Sequence, residues 1–251
     1  MLKINNLSVF YNKYKAVDNV SFNLYKGQKL SIIGPNGCGK TSLLKAISNT
    51  VCFEGEIQIN NENIKNIKRK QLSKKIGMIS QLTAINFDYT VFDVVMMGRY
   101  IYQNKWDFNN KKQHIDIVLN AIKTVGLLDY KDKNISTLSG GQMQRVFLAK
   151  LIAQNPDIIL LDEPTNHLDF KYQIELINFL KQWANDEQKT IIGVIHDINL
   201  AMLLSDDMIV MENGKIVCFD KCENILKTDI LNNVYNIDIK KYMQNSFKKW
   251  L

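Results

Sequence analysis

The sequence predicts an α/β domain built on a parallel sheet, with a helical segment inserted in its middle, and three features carry that prediction. Ile158–Leu161 and Ile191–Ile195 are short, wholly apolar runs, the pattern of strands buried on both faces, and the stretch between them sets Ile174, Ile177, Leu180 and Trp183 at helical spacing. Strand, helix and buried strand read as a βαβ unit. Leu30–Ile33 is a further apolar run that stops at Gly34, a glycine-rich segment follows, and Thr41–Ser48 is built of helix formers. Between about Thr90 and Gln154 the character turns helical, with Ile115, Val118, Ile122 and Val125 on one face and Val146, Ala149 and Ile152 on a later one.

In chain order, Leu2–Val9 and Val17–Leu24 are predicted strands, the second with Val20, Phe22 and Leu24 alternating to one side. Glu56–Asn60 and Lys75–Ser80 follow as strands before the helical insertion. Met208–Met211 and Lys215–Phe219 flank Asn213-Gly214, a hairpin signal. The expected organisation is one domain over 1–251: a core in 1–86 and 156–220, a helical subdomain in 87–155 and a helical extension in 221–251.

A chain of 251 residues with an ordinary apolar share buries a full core, which excludes disorder. The net charge of +7 invites a nucleic-acid or lipid partner, but the lysines are spread along the chain and read as a solvated surface. The Met1–Lys3 start leads directly into a strand pattern, so no leader is expected, and the longest apolar runs fall far short of the roughly 20 residues of a membrane span. Cys38, Cys52, Cys218 and Cys222 have neither disulfide density nor zinc spacing and read as reduced thiols.

Chemistry enters at Gly34-Pro35-Asn36-Gly37-Cys38-Gly39-Lys40-Thr41-Ser42, which satisfies GxxxxGK[ST] between a predicted strand and a predicted helix. Glycines let backbone N–H groups close around phosphates, Lys40 reaches the β/γ-phosphates and Thr41 ligates Mg²⁺. This loop predicts a nucleoside triphosphate, and it does not by itself say which machine uses it. Ile158-Ile-Leu-Leu-Asp162-Glu163 delivers two carboxylates at the end of a buried strand. Asp162 is the expected Mg²⁺ partner and Glu163 the group that polarises the attacking water; as neighbours on a strand they are expected to point to opposite faces.

Leu138-Ser139-Gly140-Gly141-Gln142 opens a predicted helix after the phosphate loop and before the acidic pair. Here the sequence resembles the ATP-binding subunits of ABC transporters, whose signature is LSGGQ, over essentially the whole chain. The resemblance implies a P-loop NTPase of the ABC ATPase type, with a RecA-like core, an antiparallel β subdomain and an inserted helical subdomain. It implies ATP and Mg²⁺, and a head-to-tail homodimer in which Ser139, Gly140, Gly141 and Gln142 of one copy close over the γ-phosphate held by the other. Tyr11 matches the aromatic residue that stacks on adenine, with Tyr14 as a rival; Gln81 matches the glutamine that contacts Mg²⁺ and senses the membrane partner. Asn166-His-Leu-Asp169 resembles the loop linking the two sites, although Asp169 also reads as a helix N-cap, and His196 matches the histidine that contacts the γ-phosphate.

Cys38 departs from the usual small residue of this loop, and Lys40 beside it is expected to lower the thiol pKa and make the loop oxidisable. The segment Thr90-Val-Phe-Asp-Val-Val-Met-Met-Gly98-Arg99-Tyr100 and the stretch His196-Asp-Ile-Asn-Leu-Ala201 are similar to the importer branch that handles iron–siderophore, haem and cobalamin. That resemblance implies a peripheral subunit on the cytoplasmic face of the membrane, bound to permease subunits and served by an extracytoplasmic binding protein, with Gly98–Trp106 helping to receive a permease helix. No nucleic acid is expected; a soluble ABC ATPase of translation, nucleic-acid repair or Fe–S assembly is the alternative. The tail, with Lys240-Lys241 and Phe247-Lys-Lys-Trp-Leu251, reads as solvated or as a basic amphipathic end.

Overall fold

A computed structural model describes residues 1–80, 88–103, 111–166 and 168–248. Two sheets form the frame. β1 (Leu2–Tyr11) and β2 (Tyr14–Leu24) make an antiparallel pair turning at Asn12 and Lys13, with Asn12 at φ 54°, and β4 (Glu54–Ile59) and the short β5 (Glu62–Asn63) complete the order β2-β1-β4-β5. The second sheet contains β3 (Lys29–Ile33), β6 (Ile76–Ile79), β7 (Ile158–Asp162), β8 (Thr190–Val194), β9 (Asp207–Glu212) and β10 (Lys215–Lys221) in the order β10-β9-β3-β8-β7-β6. All its neighbours run parallel except β10 against β9, where Asn213 and Gly214, both at positive φ, close the expected hairpin.

The uninterrupted apolar runs are explained by burial on both faces of this second sheet. Along β7, Ile158 and Leu160 pack toward the antiparallel sheet and α1 (Lys40–Ile47), whereas Ile159 and Leu161 pack toward the helical segment. β9 divides in the same way, Ile209 and Met211 against Met208 and Val210. With a strand period of two and both sides covered, these strands carry apolar side chains on both faces, and the buried Ser31 of β3 is accommodated by donating to Ala201 O at 2.9 Å.

The helical segment consists of α3 (Val91–Met97), α4 (Lys111–Thr124) and α5 (Gly140–Gln154). α3 starts on a capping box in which Thr90 accepts from Asp93 N–H and Asp93 from Thr90 N–H. Val94, Val118, Ile122, Val146 and Ala149 bring the expected stripes into one core. α5 stops where Asn155 turns left-handed at φ 51°, before Pro156, and its last side chain spans to the parallel sheet: Gln154 Nε2 donates to the carbonyls of Ser73 and Ile76 at 2.7 and 3.0 Å.

Four details differ from the expectation. Lys75 is not in a strand but closes α2 (Arg69–Lys75), whose single buried apolar side chain, Leu72, gives no period to read. α6 (Phe170–Asp186) is expected, but α7 (Ile198–Leu204), capped by Asp197, is an additional helix. The tail is solvated only in part: it forms α8 (Cys222–Lys227), α9 (Ile230–Tyr235) and α10 (Ile239–Phe247), with Ile225, Leu231, Val234 and Ile239 buried and Lys240 and Lys241 exposed. Within Gly98–Trp106, the stretch expected to help receive a permease helix, Arg99 is buried: its guanidinium donates to Ala153 O at 2.7 Å and to His114 Nδ1 at 3.3 Å, while Tyr100 faces out. Trp106 lies outside the described residues. Among the described residues no helix is long and apolar enough to cross a membrane.

Candidate active site

The phosphate loop leaves β3 at Gly34 and enters α1 at Lys40. Gly39 stands at the helix N-cap with φ 102°, and a Cβ there would lie 2.1 Å from Ala16 O, so neither the backbone nor the space admits another residue. No side chain caps α1 and its first turn carries no acidic residue, which leaves its N-terminal N–H groups for an anion. Lys40 is folded back over the loop, its Nζ donating to the carbonyls of Gly34 and Pro35, each at 2.8 Å. Pro35 O also accepts from Cys38 N–H, and Cys38 O from Gly214 N–H. Asn36, Gly37 and Ser42 lie in the same stretch, Gly37 at φ 79° with open space where a Cβ would stand.

β7 delivers its acidic end to this loop. Asp162 is buried and accepts from Thr41 Oγ1 at 2.8 Å. Burial pushes the Asp162 carboxyl above the usual range and the neighbouring Glu163 charge adds to the rise; the Thr41 hydrogen bond, Lys45 and Lys40 oppose it. Oxygen donors alone, one hydroxyl and one carboxylate, suit Mg²⁺, which keeps waters and phosphate oxygens in its other positions. Gln81, the third expected ligand, lies outside the described residues.

Glu163 does not continue the strand alternation. Its φ is +53°, an uncommon conformation for a non-glycine residue, held by Glu163 N–H donating to Val194 O at 3.1 Å. The turn brings its carboxylate to two partners: Oε1 lies 2.6 Å from His196 Nε2 and Oε2 accepts from Asn166 Nδ2 at 2.5 Å. The two carboxylates are therefore set apart by a backbone turn, not by opposite strand faces.

The signature lies elsewhere in the chain. Ser139 caps α5 through a capping box: Ser139 Oγ accepts from Gln142 N–H at 3.3 Å and Gln142 Oε1 from Ser139 N–H at 3.0 Å. Gly140 has open space where a Cβ would stand, and a Cβ on Gly141 would meet Tyr172 and Leu168 at ordinary contact distance. Asp169 caps α6, accepting from Tyr172 N–H at 3.1 Å. Among the described residues no hydrogen bond joins 139–142 to 34–42. Tyr11 and Tyr14 sit at the β1–β2 tip, both exposed, and the Tyr14 hydroxyl reaches Gly37 O at 3.5 Å.

Two participants escape motif reading. Asn166, noted only as part of a loop, is a direct partner of Glu163. Gln144 is buried in α5 and donates to Pro164 O, which ties the signature helix to the turn after Glu163. Its position one turn before Leu148, on a buried face, is the signal that marks it.

Cys38 overturns one expectation. The thiol is buried, and burial pushes its pKa up by more than Lys40, 3.8 Å away, draws it down. Iodoacetamide at neutral pH is therefore expected to label exposed Cys52 and to spare Cys38 without nucleotide, as mass spectrometry of the folded protein will show. Labelling of Cys38 at the rate of Cys52 would restore the reactive-thiol reading.

Known proteins place this geometry in context. A family model described as ABC transporter matches residues 17–166. The chain is 38% identical over 240 residues to the petrobactin import ATP-binding protein YclP of Bacillus subtilis, covering 95% of this chain and 94% of that protein. It is 32% identical over 235 residues to the ferric enterobactin transport ATP-binding protein FepC of Escherichia coli, covering 92% and 85%. Among solved structures, the dimeric cassette MJ0796 superposes with a TM-score of 0.78 at 30% identity, covering 88% of this chain and 99% of that one. A transporter assigned to the metal-chelate type, in an inward-facing conformation, gives 0.80 at 26% identity, covering 94% and 88%.

Proposed function

Because the chain belongs to the ABC transporter family, we propose that it is the ATP-hydrolysing subunit of an importer for an iron chelate, peripheral to the membrane on its cytoplasmic face. The observation that carries the catalytic part is Glu163 fixed between His196 and Asn166, one residue beyond an Asp162 bonded to Thr41.

In this reading the adenine rests on Tyr11 and the phosphates enter the Gly34–Thr41 cradle. Lys40 exchanges the Gly34 and Pro35 carbonyls for β/γ-phosphate oxygens. The Thr41 hydroxyl and Asp162, with Gln81 as the expected third ligand, would hold Mg²⁺, which would offset the charge of the phosphate oxygens. Glu163 accepts a proton from the attacking water, and His196, which orients that carboxylate, contacts the γ-phosphate. Ser139–Gln142 of a second copy close the site from the other side, where the Ser139 O–H proton is still available to an anion, and Asp169 connects the two sites.

The polar cleft of 410 Å³ lined by Ser48, Asn49, Arg69, Leu72, Met78 and Gln154 suits a permease helix. It adjoins both the Gln154 tether and the strand that leads to Gln81, so a push there reaches α5 and the site together. An extracytoplasmic binding protein would hand the chelate to that permease. The substrate class rests on the relatives, which are import subunits for petrobactin and ferric enterobactin; nothing among the described residues supports the nucleic-acid or Fe–S alternative. Deleting the gene in its host is expected to abolish uptake of one radio-iron siderophore, restored by the wild type and not by Glu163→Gln. Unchanged uptake of ferric siderophores, haem and cobalamin would refute the substrate class.

A further inference from the structure

We propose that Tyr235, at the end of α9, is a positioning residue for the phosphate loop, its phenol oxygen holding Gly34 in the conformation that receives nucleotide. The oxygen accepts from Gly34 N–H at 2.9 Å, across 201 residues of sequence. Gly34 is the first residue beyond the β3–β9 ladder, whose last pair is Ile33 with Val210, so its N–H has left the sheet and needs another acceptor.

The residue is held on every side. Its φ is +147° and a Cβ would lie 2.1 Å from Met211 O, so glycine alone fits, and glycine has the most conformational freedom to lose. Its carbonyl accepts from Lys40 Nζ. When Lys40 moves to phosphate that bond is given up, whereas the Tyr235 bond, made by the N–H, persists and keeps the start of the loop in place. Tyr235 is itself fixed: α9 is anchored by buried Leu231 and Val234, the chain turns left-handed at Asn236, and Asn232 Oδ1 accepts from Ile239 N–H at 2.9 Å, which staples α9 to α10. Burial pushes the Tyr235 hydroxyl pKa up, which favours the neutral phenol. The C-terminal segment thus acts on the nucleotide site from behind.

Removing this acceptor leaves a buried N–H without a partner and lets the loop sample conformations that do not bind, which weakens apparent affinity by the fraction still competent. The bound geometry, once reached, is the same. The inference rests on the phosphate loop being the nucleotide site. Tyr235→Phe is therefore expected to raise KM for ATP and Kd for ADP about tenfold, with kcat changed less than about twofold. Tyr242→Phe, which removes an exposed hydroxyl from α10, is expected to change neither. Lys40→Ala in the same ADP titration tests the site itself, and retained binding there would refute the site rather than the role of Tyr235. Tyr235→Phe binding as wild type, lowering kcat at unchanged KM, or lowering the thermal midpoint at unchanged affinity would each overturn the proposal.

Discussion

Replacing Glu163 by Gln is expected to lower steady-state ATP turnover on the order of 10³-fold, within the span assigned to a positioned proton acceptor. The amide keeps the shape that Asn166 and His196 grip, so nucleotide binding is retained while the acceptor for the water proton is lost. ATP should then accumulate on the protein instead of being turned over. Size-exclusion chromatography in ATP is expected to show a dimer for Glu163→Gln and monomer for the same protein in ADP. Turnover within about tenfold of wild type would remove Glu163 from the role of proton acceptor.

The second large effect has two signs. Asp162→Asn is expected to reduce Mg²⁺-dependent turnover about 10²-fold or more, because a metal-holding carboxylate is lost, and at the same time to stabilise the nucleotide-free fold. Burial already disfavours the Asp162 charge, so its folded-state pKa lies above the unfolded value. A carboxylate raised in this way costs stability above the unfolded pKa, and the cost fades as pH falls through the folded value. The Asn variant should therefore melt higher than the wild type at neutral pH, and the gap should close on acidification. Calorimetry without nucleotide checks this. A lower midpoint for the variant at neutral pH would show that the carboxylate stabilises the fold.

Much of this was readable from residue order, for reasons that can be named. The continuous apolar runs at Ile158–Leu161 and Ile191–Ile195 allow few other structures, and the two-sided packing of Ile158 and Leu160 against Ile159 and Leu161 explains why. α2 was not readable because Arg69–Lys75 buries only Leu72. The sign of the Cys38 shift was not readable either: proximity to Lys40 is a matter of sequence, whereas burial beneath the loop is a matter of tertiary structure. Glu163 carries the same lesson, since only the sheet around Val194 O reveals that its backbone is turned out of the strand. The Tyr235–Gly34 bond joins two segments with no shared motif.

The signature raises the question of the active unit. In one chain Ser139 and Gln142 satisfy each other, and among the described residues no hydrogen bond links them to the phosphate loop. On the proposed reading a second copy brings its own signature to the site, and the similar cassette MJ0796 is a dimer.

Mixing two inactive variants tests that claim most directly. Lys40→Ala disables the phosphate loop of its own chain, and Ser139→Arg disables the signature offered to the other chain. A head-to-tail heterodimer of the two places both lesions in one site and leaves the other whole. ATP turnover is expected to be negligible for either variant alone and to rise on mixing toward half the wild-type rate per intact pair. No recovery on mixing, or full activity of the Ser139→Arg protein alone, would contradict a site shared between two copies.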